Sequence, residues 1–240
     1  ITRAHGGTGS FISKWTIDSS TFEVTSGSDL IQSVQLWNGG GWTETANARI
    51  GRLCSADLPA PSAFYNAATG LGTTERIFMN GEEVGAEGRA FGTVVDSGVA
   101  YELPSLGKFS WENSMANPGS GDITLVAGTD DSTPGQVYFY QGTKQAAGNP
   151  VEQAGLSGGN LWGLKVPGTP IESRAGGLDG TPAVGEKIAV EFYNKGDVTG
   201  QNGAQLQADS VANGITEFLR PEDLSLIHIS EPTRLRRISY

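Results

Sequence analysis

The sequence predicts an all-β protein, and three observations lead to this prediction. Short runs of alternating apolar and polar residues recur along the chain between turns rich in Gly, Asn and Asp. The 240 residues include 35 Gly and 11 Pro, which suits many tight turns. No window sustains the apolar period of about 3.6 residues that a long helix needs. Of the sandwich, barrel and propeller architectures we favour an incomplete β-propeller, with several antiparallel blades of a six-bladed ring, because a central channel lets side chains from distant loops converge.

The predicted strands follow one another along the chain. FISKWTID and TFEVTSGSDLIQSVQLWNGGGW supply the first hairpins, and a buried strand is expected around residues 77–79. Two short strands flank a turn at residues 96–98, and ITLVAGTDD pairs with QVYFYQG across a turn at residues 133–135. NLWGLKV, KIAVEFYN and ITEFLR complete the series of strands, and a short helix is predicted near residues 205–213.

Composition excludes several classes of function. A net charge of −10 argues against nucleic-acid and anionic-membrane partners, which both require basic patches. The chain has no apolar run of about 18 residues, so we predict no membrane span. A single cysteine forms no internal disulfide. We also predict a monomer.

The C-terminal segment differs from the rest of the chain. Residues 224–240 read LSLIHISEPTRLRRISY, and their first eleven residues resemble the translation of a transposase adapter oligonucleotide used in DNA library preparation. We therefore expect a native partial domain at residues 1–223, continuing in the natural protein beyond that point, and a non-native tail at residues 224–240. Setting aside His228 leaves His5 as the only imidazole, so neither a Ser-His-Asp triad nor a histidine zinc site is predicted.

Carboxylates gather where predicted strands meet loops. This set comprises Glu82, Glu83, Glu87, Glu112, Asp130 and Asp131. Ca²⁺ is bound by several carboxylate and carbonyl oxygens brought together from loops. Gly81 is expected to permit a sharp chain reversal before the paired glutamates. The pattern predicts a metal-dependent hydrolase site, with a glycosidase-like acid pair as the alternative.

Five sequence blocks occur in an order that resembles one known family. They are Cys54, NGEE at 80–83, LGKFSWEN at 106–113, AGTDD with VYFY at 127–140, and FLRPED at 218–223. This order resembles the PhoX-type alkaline phosphatases, which are secreted or periplasmic β-propeller enzymes that use Ca²⁺ and Fe³⁺. The resemblance implies hydrolysis of small-molecule phosphate monoesters and a periplasmic or secreted location.

The resemblance also implies roles for individual residues. Cys54 would be the iron-ligating thiolate, and Arg220 would contact the phosphate. Bridging carboxylates for iron and calcium would be Glu82 or Glu83, together with Glu112 and Glu222. Calcium would be bound by Asp130 or Asp131.

Two alternative functions remain open at this point. One is a non-catalytic, Ca²⁺-stabilised propeller that binds a partner, and the other is a different Ca²⁺-dependent propeller hydrolase. A thiol within bonding range of two glutamates would favour metal chemistry, whereas a thiol buried among leucines and valines would favour the binding module. Arg89 and Lys144 are expected to be solvated surface residues. The tryptophans expected in core packing are Trp15, Trp37, Trp42 and Trp162.

Overall fold

The computed structural model describes residues 1–173, 188–222 and 224–225. Most of the regular secondary structure in these residues is β-strand, with two short α-helices, so the predicted all-β class is confirmed. Neither of the two large sheets closes on itself, and the six-bladed ring stays a prediction. Almost all of the predicted non-native tail lies outside the described residues, as does Asp223 at the predicted boundary. No helix in the described ranges is long and apolar enough to cross a membrane.

The first large sheet comes from the N-terminal half of the chain. The strands of this half are β1 (Thr8–Gly9), β2 (Ser13–Ile17), β3 (Val24–Asp29), β4 (Ser33–Trp37), β5 (Trp42–Glu44), β6 (Arg49–Ile50), β7 (Tyr65–Asn66), β8 (Leu71–Gly72), β9 (Ile77–Gly81), β10 (Ala90–Val94) and β11 (Val99–Glu102). Five of them form the sheet β5-β4-β11-β10-β9, in which β4 and β11 run parallel. The remaining strands form the small pairs β1-β6, β2-β3 and β7-β8.

The second large sheet is an antiparallel meander. Its strands are β12 (Trp111–Ala116), β13 (Ile123–Asp130), β14 (Val137–Thr143), β15 (Asn160–Lys165) and β16 (Glu191–Gly196), and they pair in chain order. Helix α1 (Pro150–Gln153) links β14 to β15, and α2 (Gly203–Ala212) follows β16. Helix α2 confirms the predicted helix, and reciprocal hydrogen bonds between Asn202 and Gln205 cap its first turn. Helix α1 was not predicted, although Asn149 and Glu152 carry the same capping signal.

Two details of the predicted strands are wrong, namely the strand at ITEFLR and a strand end just before Glu112. ITEFLR makes only isolated bridges, pairing Phe218 with Gly135 and Glu217 with Ile171. Glu112 does not follow a strand end, because β12 begins only at Trp111, after the 3₁₀ turn Pro104–Leu106. Glu112 is therefore the second residue of its strand, close to the edge where β12 adjoins the first sheet.

Both large sheets contribute to one buried cluster. It includes Ile77, Met79 and Ala90 from the first sheet and Trp111, Val126, Tyr138 and Tyr140 from the second. Phe109 stacks on Trp111 with ring centroids 4.0 Å apart, and it lies 4.9 Å from the ring of Tyr138. The Tyr138 hydroxyl is hydrogen-bonded to Ser210 Oγ at 2.8 Å, which ties α2 to this core. The shared core fixes the edge at which β9 and β12 meet.

Some side chains expected at the surface or in the core are placed differently. Lys144 is only 2% exposed, and its Nζ donates to Gly121 O and Ile123 O at 2.7 Å each, so the surface role predicted for it is wrong. The backbone carbonyls satisfy the ammonium group, which permits its burial. Arg89 is also largely buried, in an ion pair with Glu82. Trp15 is 60% exposed on the β2-β3 pair, so its predicted core position is wrong, whereas the other three named tryptophans are partly buried.

Gly81 lies where the two large sheets touch. Its φ is not in the left-handed region, so the predicted sharp reversal is not its role. A Cβ at this position would lie 2.3 Å from Trp111 Cβ. Glycine is therefore needed for close packing between β9 and β12.

A Gly81→Ala variant is expected to lose about 2 kcal/mol of unfolding free energy, because the new methyl group must displace a fully buried indole. Urea denaturation followed by tryptophan fluorescence measures this change. Gly41→Ala is the matched control, since a Cβ there meets nothing within 4 Å. Equal stability of the two variants would contradict the proposed packing role.

Candidate functional site

Three separate chain segments are hydrogen-bonded side by side at the edge where β9 and β12 meet. Glu83 N donates to Arg52 O at 2.8 Å, and Cys54 N donates to Gly81 O at 3.3 Å. Trp111 N donates to Glu82 O at 3.2 Å, which joins β12 to the same segment. These backbone hydrogen bonds bring three sets of side chains next to one another. They are the side chains that follow β6, those that follow β9 and those at the start of β12.

Cys54, Glu83 and Glu112 meet at this junction. One ligand atom from each lies within 4.8 Å of the others, and all three residues are partly buried. The Cys54 thiol donates to Glu112 Oε2 at 2.9 Å, and the Ser55 hydroxyl donates to Glu112 Oε1 at 3.0 Å. The group offers one sulfur and two carboxylates to a cation.

The thiol of Cys54 is held in its neutral form by its surroundings. Burial raises its pKa to about 12, and hydrogen bonds to Glu112 and Glu83 act in the same direction. Without a cation, Cys54 is therefore a poor nucleophile, since only the thiolate reacts. A bound metal ion would reverse this preference, because a coordinating thiol loses its proton.

Asp131, Arg220 and Glu222 form a second group beside the first. Arg220 donates to both carboxylate oxygens of Asp131 at 2.7 Å each, and its Nη2 lies 3.3 Å from Glu222 Oε1. The hydrogen bonds from Arg220 lower the pKa of Asp131, and contact with Glu83 acts in the same direction, so the two groups adjoin. Arg220 has a φ of 57°, which is uncommon for a residue other than glycine.

The segment that carries Arg220 is anchored to the second sheet. Asn113 Nδ2 and Thr129 Oγ1 donate to Glu222 O at 2.7 and 2.8 Å, and Arg220 N donates to Ser132 O at 3.1 Å. These bonds fix the backbone while the Arg220 side chain remains 56% exposed. The guanidinium is thus accessible to a molecule from solvent.

Two residues of this site were not predicted from the sequence. Arg52 forms an ion pair with Glu83 while its side chain is 67% exposed, and Ser55 holds Glu112 in place. Both flank Cys54 closely in the chain, which is the only signal that could have indicated them. With Arg52 and Arg220, two guanidinium groups stand at the exposed side of the carboxylate cluster.

Three predicted acidic residues lie elsewhere. Glu82 points into the interior and accepts hydrogen bonds from Gly51 N and from Arg89 at 2.6–2.7 Å. Burial alone would raise its pKa, but the contacts with Arg89 hold it below its usual value. Asp130 accepts from Ser110 N and Ser132 Oγ, and burial raises its pKa to about 6.

Glu87 also lies apart from the cluster. Its side chain accepts a hydrogen bond from Gly203 N at 2.9 Å, at the N-terminus of α2. This contact complements the exposed amide groups at the start of a helix. Glu87 therefore has a structural partner that explains its position.

The chemistry of the donor set fits a metal ion. A thiolate is a soft ligand that suits transition metals such as iron, and carboxylates are hard ligands that also accept iron. Ca²⁺ takes about six to eight oxygen ligands, which include waters and carbonyls as well as carboxylates. These residues could therefore contribute to a site for either kind of ion, with Glu222 close by on the Arg220 segment.

Comparison with known proteins gives limited similarity. No protein-family model matches the chain, and no curated protein matches it. The chain is similar to a solved structure of Pseudomonas fluorescens PhoX in complex with vanadate, a transition state analogue, at 13% sequence identity and a TM-score of 0.39. The match covers 78% of this chain and 45% of that one, so the chain spans less than half of the PhoX chain. A likeness of this size assigns neither a family nor an activity.

Proposed function

We propose that the protein hydrolyses small-molecule phosphate monoesters at a metal site built from Cys54, Glu83 and Glu112. The observation that carries this proposal is the contact of the Cys54 thiol with the two glutamates, beside two exposed guanidinium groups. A carboxylate cluster attracts cations, and the arginines offer planar forks that match phosphate oxygens. The combination suits an anionic ester that is activated by a cation.

In this proposal each residue of the site would have a separate role. Bound metal would supply Lewis-acid polarisation of the phosphoryl group. Arg220 would orient the phosphate, and its bond to Asp131 would hold the guanidinium in place until substrate arrives. Arg52, on the segment after β6, would provide a second guanidinium group to bind the phosphate. Ser55 would fix the orientation of Glu112.

The finer features of the proposal come from the sequence resemblance to PhoX-type phosphatases. They are the use of Fe³⁺ by Cys54 and the glutamates, Ca²⁺ bound with help from Asp131 and Glu222, a propeller ring around the site, and a periplasmic or secreted location. The order of the five sequence blocks supports these features. We also propose residues 1–223 as one partial domain, on the ground of the adapter-like sequence in the segment that follows them.

The position of Cys54 also bears on the competing functions. Its thiol lies against the carboxylates of Glu83 and Glu112, which favours metal chemistry over a binding module without catalysis. The exposed arginines favour an anionic ester over a neutral sugar or lactone, because guanidinium groups complement negative charge.

The test is the hydrolysis of p-nitrophenyl phosphate by purified protein loaded with iron and calcium. We expect turnover that is lost on chelation and restored by adding back iron with calcium. A neutral p-nitrophenyl glycoside and a lactone serve as alternative substrates. Absence of phosphatase activity in metal-loaded protein would refute the proposal, as would faster turnover of either neutral substrate.

Arg52→Ala is expected to raise the KM for p-nitrophenyl phosphate about tenfold, because one charge-assisted contact to the phosphate is lost. The bound metal content is expected to stay unchanged, since Cys54, Glu83 and Glu112 remain. Lys14→Ala, at an exposed cation on β2, is the matched control. If metal content fell in parallel with activity, Arg52 would instead act by positioning Glu83.

A further inference from the structure

A second cavity lies apart from the candidate metal site, between the β4-β5 hairpin and the loop that follows β16. Its volume is about 550 Å³, and its lining includes Trp37, Trp42, Ser105, Ser157, Asp197 and Thr199. None of these residues belongs to the carboxylate and arginine groups around Cys54. We propose that this cavity binds an organic cation through a quaternary ammonium group.

The two tryptophans form a rigid corner. Trp37 and Trp42 are direct partners across the hairpin, and their rings lie 4.8 Å apart with planes at 74°. Trp42 Nε1 donates to Glu102 O at 2.7 Å, and Trp37 N donates to Glu102 Oε2 at 3.1 Å. A flat ligand can stack on only one of two such planes, whereas a rounded trimethylammonium group can contact both. Aromatic faces attract such cations through their negative quadrupole.

The charge of the lining matches a cation. Among the described residues that line the cavity, Asp197 is the only one with an ionisable side chain. Its Oδ1 accepts from Thr199 N at 2.9 Å, which fixes the carboxylate in the loop. The net charge of the chain, −10, produces a negative potential that also attracts a cationic ligand.

The polar groups of the cavity fit a sugar less well. Ser105 Oγ is hydrogen-bonded to Thr199 Oγ1 at 3.1 Å and accepts from Gly158 N at 3.3 Å. The indole N–H of Trp42 is engaged with Glu102. A sugar needs several convergent donors and acceptors, and here Ser105, Thr199 and the Trp42 indole already have hydrogen-bond partners. A lining with two tryptophans and one carboxylate therefore favours an ammonium group.

The experiment is calorimetric titration of the folded protein with choline, with the uncharged tert-butyl analogue of choline, and with methyl glucoside. We expect choline to bind roughly tenfold more tightly than its uncharged analogue, because cation–π and carboxylate contacts depend on the charge. Methyl glucoside is expected to bind more weakly than choline. Equal binding of choline and its analogue, tighter binding of the glucoside, or no binding of choline would overturn the proposal.

Two substitutions locate the site. Asp197→Asn keeps the Oδ1 acceptor for Thr199 N and is expected to remove most of the preference for choline over its analogue. Trp37→Ala is expected to weaken choline binding roughly tenfold, and Trp37→Phe, which keeps an aromatic wall, should weaken it less. Asp96→Asn and Trp15→Ala change exposed residues outside the cavity and serve as controls. Effects on choline binding no larger than those of the controls would place the binding elsewhere and refute the assignment.

Discussion

A Cys54→Ser variant is expected to bind iron at least about 100-fold more weakly than the unmodified protein and to lose phosphatase activity in proportion. The thiolate is the soft ligand of the group, and a serine hydroxyl does not lose its proton as readily. Isothermal titration calorimetry with iron measures the affinity of both proteins directly, since it does not depend on the thiolate. Activity on p-nitrophenyl phosphate is the second readout.

Ser55→Ala is the matched control for this experiment. It removes the hydrogen bond to Glu112 Oε1 but leaves every proposed ligand in place. We expect iron affinity to fall about tenfold, because groups that orient a ligand contribute less than the ligand itself. Unchanged iron binding in Cys54→Ser would remove the thiol from the metal site and leave the proposed chemistry without support.

An Arg89→Met variant is expected to lose about 3–5 kcal/mol of unfolding free energy. The Glu82 side chain is only 3% exposed and accepts two hydrogen bonds from the Arg89 guanidinium. Removing the arginine leaves a buried carboxylate without its countercharge, which costs more than the pair itself contributes. Urea denaturation of the variant measures this loss.

Two further variants separate this effect from a general loss of charge. Arg49→Met removes an exposed arginine of the same region and is expected to change stability by less than about 0.5 kcal/mol. The double variant Glu82→Leu with Arg89→Met should regain part of the loss, because no unpaired charge remains. A double variant less stable than Arg89→Met alone would contradict this interpretation.

The sequence predicted which segments meet, but not which side chain of each acidic pair faces the site. Successive residues of an extended chain point to opposite sides, so only one member of Glu82-Glu83 or Asp130-Asp131 can join a given cluster. The structure directs Glu83 and Asp131 to the cluster near Cys54, while Glu82 and Asp130 face inward. The choice depends on long-range partners such as Arg89 that no local pattern reveals.

Other features were hidden from the sequence for similar reasons. Lys144 can be buried because two carbonyl groups from the β12–β13 turn and the start of β13 surround its ammonium group, and these contacts depend on the final packing. Arg52 reaches Glu83 only because the segment after β6 runs beside the end of β9. The alternation of apolar and polar residues, in contrast, is local, and it predicted most of the strands of both sheets.

The anchoring of the Arg220 segment determines at which stage of folding the site can form. Arg220 and Asp131 are 89 residues apart in the chain, and Cys54 and Glu112 are 58 apart, so no short peptide contains the whole site. Contacts of such separation form late in folding, since their loop-closure entropy must first be offset by other interactions. The polypeptide would therefore acquire its cation after the two sheets have docked, and ion binding would report on completed folding instead of nucleating it.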